Sequence, residues 1–173
     1  MENLIVIKIG GNSIATLTSS FFAQIHQWML ANKRILIIHG GGSKISELSD
    51  KLKIPVKKVD GMRVTDSATL ELTQMVLLGQ TQPQLLMKLT KAGIPALGLN
   101  AADESILNGS FLNKEKYGLV GKINKINDKL LSEVLEKHVA VLAPMALTAE
   151  QQWLNVNADT AASRIAGLLK AEK

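Results

Sequence analysis

Cysteine is absent from the whole sequence, so neither a disulfide nor a thiolate metal site can hold this protein together or do its chemistry. Aromatic residues make up only 3% of it, too few to build a stacking platform for single-stranded nucleic acid. No apolar run approaches the roughly 20 residues that a membrane-spanning helix requires. Met1-Glu2-Asn3 leads into a short apolar stretch with neither a basic segment nor a long hydrophobic one, so no targeting signal is legible and a cytoplasmic address is expected. The formal net charge is +5, but the excess is spread along the chain, as at Lys51, Lys53, Lys57 and Lys58. Such dilution argues for solubility and an anionic small substrate, with neither nucleic acid nor membrane as partner.

What is present is patterned. The 173 residues are 46% hydrophobic and 20% charged, the profile of one soluble globular domain with a sizeable core. Leu4 to Ile9 is apolar on both faces and stops at Gly10-Gly11, which reads as a buried strand. Between Thr18 and Ala31, Phe21, Phe22, Ile25, Trp28 and Met29 recur at near-helical spacing. Arg34 to Ile38 is a second buried strand running into His39-Gly40-Gly41-Gly42, and Ser43 to Leu52 returns to helical spacing. Pro55 to Val64 predicts an extended pair turned at Asp60-Gly61. Thr65-Asp66-Ser67 supplies capping residues for a helix through Leu77, and Pro83 marks the start of the next helix, which ends at Gly93.

Ile94 to Leu99 is a further strand, and Ser105 to Ile126, broken at Asn108-Gly109 and Tyr117-Gly118, predicts a β-hairpin insertion. A helix from Leu130 to His138, a buried strand from Val139 to Ala143 and an Ala-rich helix from Asn157 to Leu169 complete the pattern. Alternating strands and helices predict an α/β fold over residues 1–173: a three-layer αβα sandwich around a mainly parallel sheet, with β-hairpin insertions.

In such sheets ligands bind beyond the carboxyl ends of the strands. The first two strands both end there in glycines, which let the backbone approach a bulky anion closely. Amides in such turns, backed by a helix start, make an anion cradle. Lys8 sits within an apolar strand directly before Gly10-Gly11, where its amine can meet phosphate oxygens. The stretches Lys8 to Ser13 and His39 to Ser43 match neither the Walker loop nor the dinucleotide fingerprint. His39 has no acid or nucleophile beside it in sequence and reads as structural, as do His26 and His138. Met75 reads as core or interface packing.

Lys8-Ile9-Gly10-Gly11 and His39-Gly40-Gly41-Gly42 together resemble the amino-acid kinase family. Gly61-Met62-Arg63-Val64-Thr65-Asp66, Met75 to Gly79, Gly98 to Asp103, Gly118 to Gly121 and Asn155 to Asp159 follow in order and resemble its N-acetylglutamate kinases. That resemblance implies transfer of the ATP γ-phosphoryl group to the side-chain carboxylate of N-acetyl-L-glutamate, a step of arginine biosynthesis. MgATP would be a co-substrate, with no tightly bound cofactor and no resident metal. Lys8 would stabilise the transferring phosphoryl group and Asp159 would orient lysine. Gly10 and Gly11 would offer amides to phosphate, Gly41 and Gly42 would contact the reacting end of the substrate, and Arg63 and Asn155 would hold it. The helix around Leu70 to Leu78 implies a homodimer.

The family's carboxyl-terminal nucleotide-binding half has no counterpart after Asp159, where one helix and four residues remain. The 173 residues alone are therefore expected to be a substrate-binding domain of poor activity, to which a separate nucleotide-binding chain could add. Two other readings stay open: a non-catalytic acetylglutamate- or anion-binding module, and a related acyl-amino-acid kinase of the aminoadipate type.

Overall fold

The computed structural model describes residues 1–173. In chain order its elements are β1 (Leu4–Ile9), α1 (Ser19–Leu30), β2 (Arg34–His39), α2 (Gly42–Lys51), β3 (Lys58–Val59), β4 (Met62–Arg63), α3 (Ser67–Val76) and α4 (Gln82–Lys91). Then come β5 (Ala96–Leu99), β6 (Leu107–Phe111), α5 (Lys114–Tyr117), β7 (Gly121–Ile126), α6 (Asp128–Leu135), β8 (Val139–Leu142), β9 (Met145–Leu147), β10 (Trp153–Asn155) and α7 (Ala158–Leu169).

The apolar runs without alternation become a four-stranded parallel sheet in the order β1-β2-β8-β5, buried on both faces. Period-two geometry divides each run between the two sides. Leu36 and Ile38 of β2 and Ala140 and Leu142 of β8 face the core under α6 and α7, with Leu131, Ile165 and Leu169. Ile35, Ile37, Val139 and Val141 face the opposite core, against Ile25 of α1 and Leu85 and Leu89 of α4. The three-layer αβα arrangement predicted from the sequence is therefore present. Leu36, Ile37 and Ile38 are completely buried, and each such side chain contributes roughly 1.5–3 kcal/mol of apolar transfer.

A second sheet, in the order β10-β9-β6-β7, packs beside the first. The pairs β6–β7 and β9–β10 are antiparallel, and β6 meets β9 at the single parallel pair Asn108–Leu147. The β6–β7 pair is the expected hairpin, although the short helix α5 occupies its loop. Strands β9 and β10 were not anticipated: Val139 to Leu147 reads as nearly one apolar run, and only Pro144 marks where it folds back. The small β3–β4 hairpin turns at Asp60 and Gly61, with φ of 51° and 77°, as an Asp-Gly turn with two left-handed residues should.

The predicted helix beginning near Pro83 is α4, with Pro83 in its first turn, but it is not separated from α3 by a loop. From Ser67 to Lys91 the backbone stays helical, and residues Leu77–Thr81 form a π-turn between α3 and α4. Proline has no amide hydrogen to give the preceding turn, and a locally widened turn accommodates that loss without ending the helix. Just beyond the π-turn the Gln82 amide donates to the carbonyls of Leu99 and Val141, at 2.9 and 3.0 Å, tying this helix to the carboxyl edge of the parallel sheet. Met75, at 52% exposure, is not in the core. No helix is long and apolar enough to cross a membrane.

Gly118 links the second sheet to the loop entering α3. Its φ is 69°, and a Cβ there would lie 2.3 Å from the carbonyl oxygen of Thr65. Gly118→Ala is expected to cost on the order of 2 kcal/mol or more. In a chain of this size that lowers Tm by roughly 4–8 °C in a thermal melt. An unchanged Tm would show that this junction gives way freely.

Candidate active site

Strands β1 and β2 pair in register with Ile9 beside His39, so their two glycine turns leave the sheet together. They touch: a Cβ on Gly11 would lie 2.8 Å from the Gly41 Cα and 3.0 Å from the Gly40 carbonyl oxygen. Only backbone without side chains permits that approach. Helix α2 begins at Gly42, and Gly41 before it supplies no side-chain cap. Its first amides therefore have no intrahelical acceptor and stand at the positive end of the helix dipole.

Lys8, the penultimate residue of β1, reaches the same edge of the sheet. Its Nζ lies 3.0 Å from Asp159 Oδ1, with the two side chains 34% and 70% exposed. An ion pair so open to water adds little stability, and its consequence is to fix where the amine points. Asp159 is free to do this because Asn157, not Asp159, caps α7. The Asn157 side-chain oxygen accepts from the amides of Asp159 and Thr160 at 3.0 and 3.1 Å.

Arg63 enters from the β3–β4 hairpin. Its Nη2 donates to Ser46 Oγ at 2.8 Å and to the Gly42 carbonyl at 3.2 Å, while its Nη1 is buried with no protein acceptor. Burial lowers the guanidinium pKa from its ordinary value, yet arginine keeps its charge in proteins. One cationic donor nitrogen is thus held in place and left unsatisfied. Asn155, on β10, gives its amide nitrogen to Thr65 Oγ1 at 3.1 Å. At the outer end of the hairpin, Asp60 accepts from Lys116 Nζ at 2.6 Å and from the Tyr117 hydroxyl at 2.9 Å. Those bonds, Lys116 first, hold its carboxyl below the usual range.

All eight residues singled out from the sequence, Lys8, Gly10, Gly11, Gly41, Gly42, Arg63, Asn155 and Asp159, line one cleft of about 410 Å³. Asp159 is the only carboxylate on its wall, against the cations Lys8, Lys58 and Arg63. Such a cleft favours anions. Sequence reasoning missed Lys58, Ser46 and Asn157, which lie on the same wall. The Asn157-Ala158-Asp159 run does carry a capping signal for Asn157. An isolated serine or lysine carries none.

The family model described as the amino acid kinase family matches residues 3–173. The chain belongs to that family. It is 51% identical over 173 residues to the acetylglutamate kinase of Lactiplantibacillus plantarum, covering 100% of this chain and 70% of that protein. Identity to the Listeria monocytogenes acetylglutamate kinase is 47%, covering 99% of this chain and 69% of that one. Among solved structures, smu.665 of Streptococcus mutans superposes with a TM-score of 0.95 at 36% identity, covering 99% of this chain and 71% of its own. The N-acetylglutamate synthase of Neisseria gonorrhoeae, at 19% identity and a TM-score of 0.79, shares the fold over 98% of this chain and 42% of its own.

In this amino acid kinase His39 is fully buried and lies outside the cleft wall, as its structural reading requires. Its Nδ1 sits 3.4 Å from the Gly40 carbonyl and its Nε2 has no partner. Burial lowers its pKa from 6.5 to about 4, against a smaller opposing effect of the Gly40 carbonyl. His26 is likewise structural, with Nε2 2.8 Å from the Ala92 carbonyl. Because the folded-state pKa of His39 is depressed, the unfolded chain takes up the proton first. Stability is therefore lost as pH falls from about 6.5 towards about 4. The expected slope within that window is roughly 1.4 kcal/mol per pH unit. Urea denaturation of the wild type and His39→Gln at several pH values tests this: the variant should lose this component, and equal slopes would refute it.

Proposed function

We propose that residues 1–173 are the substrate-binding, phosphoryl-cradling domain of an acetylglutamate kinase, which moves the ATP γ-phosphoryl group onto the side-chain carboxylate of N-acetyl-L-glutamate. The observation that carries this reading is the convergence of all eight residues on one cationic cleft, with Lys8 aimed by Asp159. A carboxylate is already a competent nucleophile, so the site needs position and charge neutralisation rather than a base. An oxygen–phosphorus bond forms to the substrate carboxylate as the bond to the β-phosphate oxygen breaks, and ADP leaves.

Lys8 Nζ and the unpaired amides at Gly11 and at the start of α2 stand where negative charge on the transferring group would be neutralised. Arg63, with Nη1 unsatisfied, would grip a substrate carboxylate, and Asn155 would meet its amide or carboxylate without adding charge. Magnesium supplies charge neutralisation on the nucleotide phosphates and would arrive bound to them, since one carboxylate on the cleft wall is too few to hold it. The chain covers 70% of the Lactiplantibacillus relative. We assign adenine and ribose to residues outside this cleft. A cytoplasmic homodimer completes the reading, paired through the helix around Leu70 to Leu78, where Met75 is 52% exposed.

Calorimetric titration with N-acetyl-L-glutamate is expected to give saturable binding. Arg63→Ala should weaken it on the order of tenfold to a hundredfold, the worth of hydrogen bonds to a charged group. Arg63→Lys should recover only part, because lysine cannot bond in a fork. Absence of binding by a folded wild type would refute the acetylglutamate assignment.

A further inference from the structure

Thr65 is completely buried, and nothing in the transfer chemistry calls for it. Its backbone is pinned on both sides: its amide donates to the Tyr117 carbonyl at 2.9 Å, and its carbonyl accepts from the Leu119 amide at 2.7 Å. Its hydroxyl lies between the two residues that would hold the substrate, 3.1 Å from the Arg63 carbonyl and 3.1 Å from Asn155 Nδ2. Arg63 and Asn155 come from separate sheets and make no bond to each other. Thr65 is where they are joined.

A threonine hydroxyl has one hydrogen to give. The Arg63 carbonyl can only accept, so the hydrogen goes there. What remains on Oγ1 is a lone pair, and the partner facing it must be a donor. That settles which end of the Asn155 amide turns inward: the nitrogen faces Thr65, and the amide plane is fixed with its carbonyl oxygen on the other side. The same bond ties the backbone of Arg63 where the chain leaves β4. The strand carrying Asn155 is held in turn by its amide on the Leu119 carbonyl at 2.9 Å, next to the residues that pin Thr65.

We propose that Thr65 is a positioning residue for substrate recognition, setting the amide orientation of Asn155 and the exit of Arg63 through one hydroxyl. The proposal rests on the reading of Arg63 and Asn155 as substrate-holding residues. Thr65→Val keeps the shape of the side chain and removes its hydrogen bonds, leaving the Arg63 carbonyl unpaired and the Asn155 amide free to flip.

The test combines calorimetry with N-acetyl-L-glutamate and NMR of the Asn155 side-chain NH2 group in the full chain. Thr65→Val is expected to raise Kd at least tenfold and to move the Asn155 NH2 resonances to the positions of a mobile amide. Thr65→Ser, which restores the hydroxyl, should return both to near wild-type values. Thr65→Ala serves as a second hydroxyl-less variant where valine impairs folding. Wild-type Kd and unshifted Asn155 resonances in a folded hydroxyl-less variant would overturn the proposal. So would a serine variant that folds but restores neither. Should the wild type fail to bind acetylglutamate, the substrate reading falls, and the resonances alone decide whether Thr65 locks the amide.

Discussion

The flush parallel pairing of β1 with β2 is the constraint on which the rest of the site depends. Because Ile9 stands opposite His39, the chain leaves both strands at the same height. The two turns must then share a space that only glycine backbone can share, with Gly11 packed on Gly41. A side chain on Gly41 would in turn meet Leu77 of the π-turn at 2.7 Å, so the long helix backs the cradle from behind. Helix α2 starts from this junction, and α7 begins close enough for Asp159 to reach Lys8. Shifting the strand pairing by one residue would separate all of these at once.

The charges of the cleft differ in how firmly the fold commits them. Lys8 and Asp159 meet in water-accessible space, where their attraction is screened and can be exchanged for a ligand at small cost. Arg63 is more deeply placed, with one nitrogen bonded to Ser46 and Gly42 and the other left over. An unpaired buried cationic donor is a standing cost that an anionic ligand removes. The arrangement therefore couples a buried recognition group to a water-accessible neutralising one. That division suits phosphoryl transfer, in which the acceptor must stay still while the phosphoryl charge moves.

The sequence made the parallel sheet legible because its strands are buried on both faces and stop abruptly at glycines or a turn. The cleft was legible for the same reason: ligand sites in such sheets lie at carboxyl ends, and Lys8, Gly11 and Gly41 stand there. Asn155 and Arg63 came from ordered resemblance, since neither carries a spacing signal of its own. Strands β9 and β10 escaped because a three-residue strand is too short to show a period, and Met145–Leu147 follows β8 after only Ala143 and Pro144. Ser46 and Thr65 escaped for a different reason. Each acts through a single hydroxyl that accepts from a residue distant in the chain, Arg63 for Ser46 and Asn155 for Thr65, and tertiary placement leaves no mark on local pattern.

The π-turn at Leu77–Thr81 has a geometrical effect beyond accommodating Pro83. In an α-helix each residue advances the side-chain direction by about 100°, so one added residue turns everything downstream onto a different face. Before the turn, Leu72 and Val76 look towards α2 and Met145. After it, Leu85 and Leu89 look towards the parallel sheet and α1. The widened turn thus acts as a phase shifter, letting one continuous rod serve two cores whose walls are not aligned. If the same residues wound as an unbroken α-helix, Leu85 and Leu89 would be rotated by about 100° and that half of the apolar stripe would turn away from the parallel sheet.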